Sequence, residues 1–206
     1  MLIIGLTGSI GMGKSTAAKR FRGLGLPVCD ADAEVHALYA PGGAAVGPIE
    51  AAFPGTTGTG GVDRPRLAAA LMADSQGFAR LEAIVHPLVW AAERDFLRRE
   101  AERGADMAVL EIPLLLEGKG RVRVDVVVVV SATAELQRRR VLDRPGMTSA
   151  KFEQIVARQL PDAEKRARAD FIVDTSGTHA ETESQIDAIV DALRGRSGTA
   201  YATYWQ

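Results

Sequence analysis

Cysteine is almost missing from this chain. Cys29 is the one cysteine in 206 residues, which excludes an intramolecular disulfide framework and a cysteine-built zinc site and suits a reducing cytoplasm. An excess of one charge is missing too: the formal net charge is -1, unlike a general nucleic-acid or membrane-surface binder. No apolar run approaches the roughly 20 residues that a membrane-spanning helix needs; the valine run Val126–Val130 is far too short. The N-terminus opens directly on Leu2-Ile3-Ile4 without a basic leader, so no signal peptide is expected. No internal repeat is evident. What remains is 47% hydrophobic and 25% charged, the balance of an ordinary soluble globular protein. The length suits one substantial domain with a helical insertion.

Apolar patterning divides the chain. Leu2 to Thr7 is short, apolar and closed by glycine, as expected of a buried strand. A helix is expected from Lys14, with Ala17, Ala18, Phe21 and Leu24 on one face and Gly25 as its stop. Pro27-Val28-Cys29 predicts a second strand ending at Asp30, and a weaker helix follows over Ala33 to Tyr39. The glycine-rich stretch 54–61 predicts a flexible loop. A helix-rich block over about 64–103 is expected to break at Pro87, with a new helix starting near His86, because proline is poorly tolerated inside a helix. No strand pattern shows between Gly43 and Gly104. Strands return at Met107 to Ile112, Asp125 to Val130 and Phe171 to Val173, with helices near 133–143, 148–160, 162–169 and 180–193. Alternating strands and helices predict a mostly parallel, doubly wound α/β sheet. The expected division is a core of residues 1–30 and 105–195, a mainly helical domain over 31–104, and a polar, poorly ordered tail over 196–206, where Tyr201, Tyr204 or Trp205 could dock.

The most specific signal is Gly8-Ser9-Ile10-Gly11-Met12-Gly13-Lys14-Ser15, which matches the phosphate-binding pattern G-x-x-x-x-G-K-[ST]. Its setting, an apolar strand before and a helix starting at the lysine, is the one the motif needs. The glycines let backbone N–H groups converge on a phosphate, and the helix N-terminus adds partial positive charge. Lys14 is placed for the β- and γ-phosphates, the Ser15 hydroxyl for Mg²⁺, and Thr16 for the α-phosphate. The chain is therefore expected to bind a nucleoside triphosphate. No Asn-Lys-x-Asp guanine-reading sequence is present, which argues against a GTP-driven switch.

Asp30 and Asp32 follow the second strand, at the edge where a parallel sheet forms its ligand crevice. A carboxylate there can accept a hydroxyl proton or orient that hydroxyl; alternatively, one of the pair caps the following helix. Glu111 ends a strand where an acid can reach Mg²⁺ directly or through water. Arg138, Arg139, Arg140 and Arg144 form an arginine-rich segment. Arg140 and Arg144 share a helix face if the helix persists, and guanidinium groups suit the charge of a transferring phosphoryl group. Arg139 is expected to be solvated.

Beyond the phosphate loop, the whole chain resembles the dephospho-coenzyme A kinase family. The resemblance rests on GLTGSIGMGKST at 5–16, CDAD at 29–32, VDR at 62–64, LEAIVHPLV at 81–89 and PLLLE at 113–117. Gln137, Arg140, Arg144, Gln159, Lys165 and Ala169-Asp170 follow in order. It implies a P-loop kinase core with an inserted helical acceptor domain and a helical lid over about 133–168. The implied reaction is ATP-dependent phosphorylation of the ribose 3′-hydroxyl of dephospho-coenzyme A. The carried-over residues are Lys14, Asp32 and Arg140 for catalysis, and Gly8, Gly11 to Thr16, Arg144, Asp174 and Gly177 for the nucleotide. For the acceptor they are Asp32, Arg64, His86, Pro113 and Leu114. Ser15 would hold Mg²⁺, with Glu111 acting through water. The charge balance and the single cysteine point to a cytoplasmic location without a nucleic-acid or membrane partner; the sequence does not give the oligomeric state, and a monomer is favoured. Two positions depart from the family pattern, Glu111 in place of Asp and Asp174 in place of Asn. An ionised aspartate cannot donate as an amide does.

Overall fold

In a computed structural model that describes residues 1–118 and 120–206, strand β1 (Leu2–Thr7) lies at the centre of a five-stranded sheet. It is followed by α1 (Lys14–Gly23), β2 (Val28–Asp30), α2 (Ala31–Tyr39), α3 (Val46–Ala52), the two-residue strands β3 (Thr57–Gly58) and β4 (Gly61–Val62), α4 (Arg64–Ala73) and α5 (Gly77–Glu102). Then come β5 (Met107–Glu111), β6 (Val126–Ser131), α6 (Ala134–Leu142), α7 (Ser149–Val156), α8 (Asp162–Ala167), β7 (Phe171–Asp174) and α9 (His179–Leu193). The sheet order is β2-β5-β1-β6-β7, and the recorded β1–β5, β1–β6 and β6–β7 pairings are all parallel. This is the expected α/β architecture. Among the described residues no helix is long and apolar enough to cross a membrane.

Contacts divide the chain into two units, Met1–Cys29 with Leu97–Gln206, and Asp30–Phe96. The boundary near the C-terminal end falls inside α5, between Phe96 and Leu97. In the first unit, all six residues of β1 and all of β6 are buried, as expected for strands covered on both faces. Leu2, Ile4 and Leu6 point to one side and pack with Ala17, Ala18 and Phe21 of α1 and Ile186, Ile189 and Leu193 of α9. Each fully buried Leu, Ile or Phe contributes roughly 1.5–3 kcal/mol of transfer free energy. On the opposite side, a side chain at Gly5 would meet Leu115 at 2.6 Å.

Three expectations change. The loop over 54–61 contains one side of an antiparallel hairpin, with Thr57 opposite Val62 and Gly58 opposite Gly61; pairs this short leave no alternating pattern to read. Helix α5 runs unbroken through Pro87. Val85, Val89 and Leu97 are buried along one face, and burying these apolar side chains offsets the roughly 3 kcal/mol that an interior proline costs. The tail is held down: Thr199 and Ala200 donate to Asp125 Oδ1 at 2.7 and 2.9 Å, and Trp205 is buried with its Nε1 donating to Arg123 O at 2.8 Å.

Candidate active site: a phosphate loop and a helical-unit pocket

The phosphate loop leaves the C-terminal end of the central strand β1. There β1 lies between β5 and β6, with the next strand in sequence, β2, on the β5 side and β6 on the other, the switch point at which open α/β sheets bind ligands. Its glycines answer to contacts. A side chain at Gly8 would lie 2.4 Å from Val130 O, and Gly13, with φ 94°, caps α1 in the left-handed region against Thr175. Lys14 opens α1, so the first-turn N–H groups face out of the helix end. Lys14 Nζ donates to Gly8 O at 3.0 Å, holding its charge over the loop. The Ser15 side chain is exposed and Thr16 half-buried.

Side chains from the rest of the first unit close around this loop. Gln159 Oε1 accepts from Ile10 N at 3.1 Å, and Gln137 Nε2 donates to Ile10 O at 2.9 Å. Arg140 donates to Thr175 Oγ1 and Thr175 O at 2.9 and 2.7 Å and reaches Gly11 O at 3.5 Å. Thr175 Oγ1 donates to Met12 O at 2.8 Å, and Ala132 N donates to Met12 Sδ. Arg140 therefore brings a guanidinium to the phosphate loop. Arg139 and Arg144 are exposed, whereas Arg138 bonds Ser149 and lies over Phe152, tying α6 to α7.

Glu111 is buried at the end of β5, in register with Leu6 of β1. Pro113 and Leu114 follow it; Pro113 O accepts from Thr7 Oγ1 at 3.1 Å, and Leu114 is exposed. At the end of β7, Asp174 Oδ1 accepts from Ser176 N at 2.8 Å. Bonds from the Ser176 hydroxyl and N–H hold this carboxyl below the usual carboxylate range, so it is ionised at neutral pH. Here the side chain shapes the turn, a job that needs only an acceptor oxygen. Gly177 then leads into α9, whose Thr178 and Glu181 form a capping box.

The second unit holds a cavity of about 310 Å³. Asp32, His36 and Tyr39 of α2 and Arg64 of α4 supply its polar lining, and Leu67, Leu71 and Leu81 contribute to its apolar wall. The two neighbouring aspartates have separated roles. Asp30 Oδ1 accepts from Asp32 N and Ala33 N and caps α2. That leaves the exposed Asp32 as the carboxylate of the cavity. Arg64 lies over the Tyr39 ring at 5.6 Å. Burial pushes the Tyr39 phenol up, opposed by Arg64, so it stays a neutral donor at pH 7. His86 is exposed on α5, stacked on Trp90 at 6.1 Å rather than lining the cavity. Sequence reasoning passed over His36, Tyr39 and Thr175. The first two were within reach, since positions 32, 36 and 39 share one face of a helix. Thr175 acts only through the fold, and nothing local marks it.

Three comparisons bear on this site. Residues 2–181 match the family model described as dephospho-CoA kinase. A dephospho-CoA kinase of Rhizobium meliloti is 57% identical, over 94% of this chain and 99% of that one. The Mesorhizobium japonicum dephospho-CoA kinase is 54% identical, over 97% and 100%. Among solved structures, a Thermus thermophilus protein superposes with a TM-score of 0.79 at 35% identity, covering 94% of this chain and 98% of that one. A dephospho-CoA kinase from Campylobacter jejuni shares the fold, with a TM-score of 0.62 at 21% identity over 93% and 96%.

Proposed function

Because the chain belongs to the dephospho-coenzyme A kinase family, we propose that its two units divide the reaction: the phosphate loop handles the ATP donor and the helical-unit cavity handles the acceptor. The reaction is ATP-dependent phosphorylation of the ribose 3′-hydroxyl of dephospho-coenzyme A, the last step of coenzyme A biosynthesis. The observation that carries the division is the cavity itself, which sets a carboxylate, a guanidinium and an aromatic ring within one helical unit.

On the donor side, Gly8 and Gly11 to Thr16 cradle the phosphates with their backbone, and Lys14 and Arg140 oppose the charge that develops on the transferring group. Phosphoryl transfer asks little covalent chemistry of a protein, so placing these charges is most of the catalytic task. The end of β7 and the loop after it, from Asp174 to Gly177, would meet the adenine, and Arg144 joins from the segment over about 133–168, which serves as a lid. The Ser15 hydroxyl fits a hard cation such as Mg²⁺ because it is a neutral oxygen, exposed in the first turn of α1. Glu111, buried at the end of β5, would support the same cation through water. When bound, the ion would neutralise phosphate charge.

On the acceptor side, Asp32 orients the 3′-hydroxyl and takes its proton. Arg64 suits the phosphates of dephospho-coenzyme A and Tyr39 its ring system. His86 with Trp90, outside the cavity, and Pro113 with Leu114, in the first unit, are the remaining candidates for acceptor contact. Transfer requires the two substrates to come together with water excluded, which limits wasteful ATP hydrolysis. The same reading places the enzyme in the cytoplasm as a monomer, where a chain with a single cysteine is at no disadvantage.

The test is ADP release with Mg²⁺-ATP and dephospho-coenzyme A, run beside AMP and shikimate as alternative acceptors. ADP release confined to dephospho-coenzyme A, with a product of coenzyme A mass, is the expected result. Equal turnover of AMP or shikimate would refute the acceptor assignment.

A further inference from the structure

Ile10 lies inside the phosphate loop, yet both polar groups of its backbone are held by side chains more than a hundred residues away. Its N–H donates to Gln159 Oε1 at 3.1 Å and its C=O accepts from Gln137 Nε2 at 2.9 Å. The backbone dictates the orientation of each amide, since an N–H requires an acceptor and a carbonyl requires a donor. We propose that Gln137 and Gln159 are a pair of positioning residues that clamp Ile10 from both sides and so set the conformation in which the loop receives ATP. This rests on the donor-site reading above.

Each glutamine is itself anchored. Gln137 is buried on α6, whose helix is capped by Thr133 and whose Arg140 reaches Gly11 O. Gln159 precedes Leu160, whose N–H donates to Glu117 Oε1 at 3.0 Å. Glu117 Oε1 also lies 2.7 Å from Lys165 Nζ, and that lysine is fully buried on α8. Removing Glu117 would leave the buried Lys165 charge uncompensated, which is costly. The clamp therefore ties the phosphate loop to both ends of the segment carrying α7. Ile10 N–H is spent on Gln159, so it takes no part in the phosphate cradle. Neither glutamine needs to touch the nucleotide; each acts through the loop backbone.

The hydrogen-bond sense of the clamp makes it testable. Glutamate at either position places the same negative charge beside the same residue, but it can replace Gln159 as an acceptor and cannot replace Gln137 as a donor. Steady-state kinetics with ATP and dephospho-coenzyme A would compare Gln137→Glu with Gln159→Glu, with wild-type turnover run alongside to test the donor-site reading separately. The expected result is a KM for ATP at least about tenfold higher in Gln137→Glu than in Gln159→Glu, with the acceptor KM equal in the two within about twofold. A smaller or reversed gap, or an acceptor KM that moves as far, overturns the proposal. Should Gln137→Glu fail to fold, Gln137→Met, Gln159→Met and their double variant give a cycle. A double variant whose rise in KM for ATP falls short of the product of the single rises supports a shared clamp; a multiplicative or larger effect overturns it.

Discussion

Replacing Asp125 with alanine tests how the tail is held and what that holding contributes. The Asp125 carboxylate accepts three backbone N–H groups: Ile3 at 2.8 Å through Oδ2, and Thr199 and Ala200 at 2.7 and 2.9 Å through Oδ1. It thereby joins the start of the central strand to the C-terminal segment. Hydrogen bonds to a charged group are worth about 1.5–3 kcal/mol each, though not additively. Once the carboxylate is gone, the N–H groups of the tail can turn to water. Ile3 has no exposed surface, and stranding its N–H costs roughly 1–3 kcal/mol. The combined loss is about 3–5 kcal/mol, and at roughly 2–4 °C per kcal/mol for a domain of this size the melting point falls on the order of 10 °C. Differential scanning calorimetry gives that shift, and limited trypsin digestion reads out release of the segment around Arg194 and Arg196. Asn at position 125 keeps one acceptor oxygen and should fall between wild type and alanine. A melting point within about 2 °C of wild type, with unchanged trypsin resistance, would refute this account of the tail.

Two further predictions concern the acceptor cavity and acid stability. Arg64→Ala should raise the KM for dephospho-coenzyme A about tenfold, by removing a phosphate partner and the cation over Tyr39, while leaving the KM for ATP unchanged; equal effects on both would contradict it. Glu50 accepts from Gly55 N, Thr57 N and Thr57 Oγ1, the Gly55 bond contributing most to holding its carboxyl below the ordinary 4.5. A lowered folded value means stability that is present above the unfolded value and is lost as pH falls through the folded one. Glu181, held below 4.5 chiefly by Thr178 N–H, and Asp174 act in the same sense. The melting point should therefore drop as pH falls below about 4.5. The gap between wild type and Glu50→Gln should narrow over that window, and a gap that widened there would show that the sign is wrong.

How much the residues reveal in advance depends on the range of the interaction. The phosphate loop is legible because its chemistry is local: glycines, a lysine and a serine fill consecutive positions between a strand and a helix. The valine run of β6 is equally plain, since a strand buried on both faces needs no alternation. Pro87 misleads because the cost of a proline is visible in the sequence, whereas the buried stripe from Val85 to Leu97 that offsets it appears only in three dimensions. The docking of Trp205 depends on Arg123 and Asp125, more than seventy residues away. Asp30 and Asp32 look equivalent in a row of letters; only the two N–H groups on Asp30 Oδ1 show which one caps the helix. The same holds for the proposed acceptor cavity, where His36, one turn beyond Asp32, joins the lining, while His86 stacks on Trp90.

The division between donor loop and acceptor cavity is tested most directly by the turnover number of Asp32→Asn with saturating ATP and dephospho-coenzyme A. The substitution keeps size and shape while removing the group proposed to take the hydroxyl proton. The account predicts a fall of about 10²–10⁴-fold in kcat with the KM for ATP unchanged. Turnover within about threefold of wild type would contradict it and move the proton-accepting role away from Asp32.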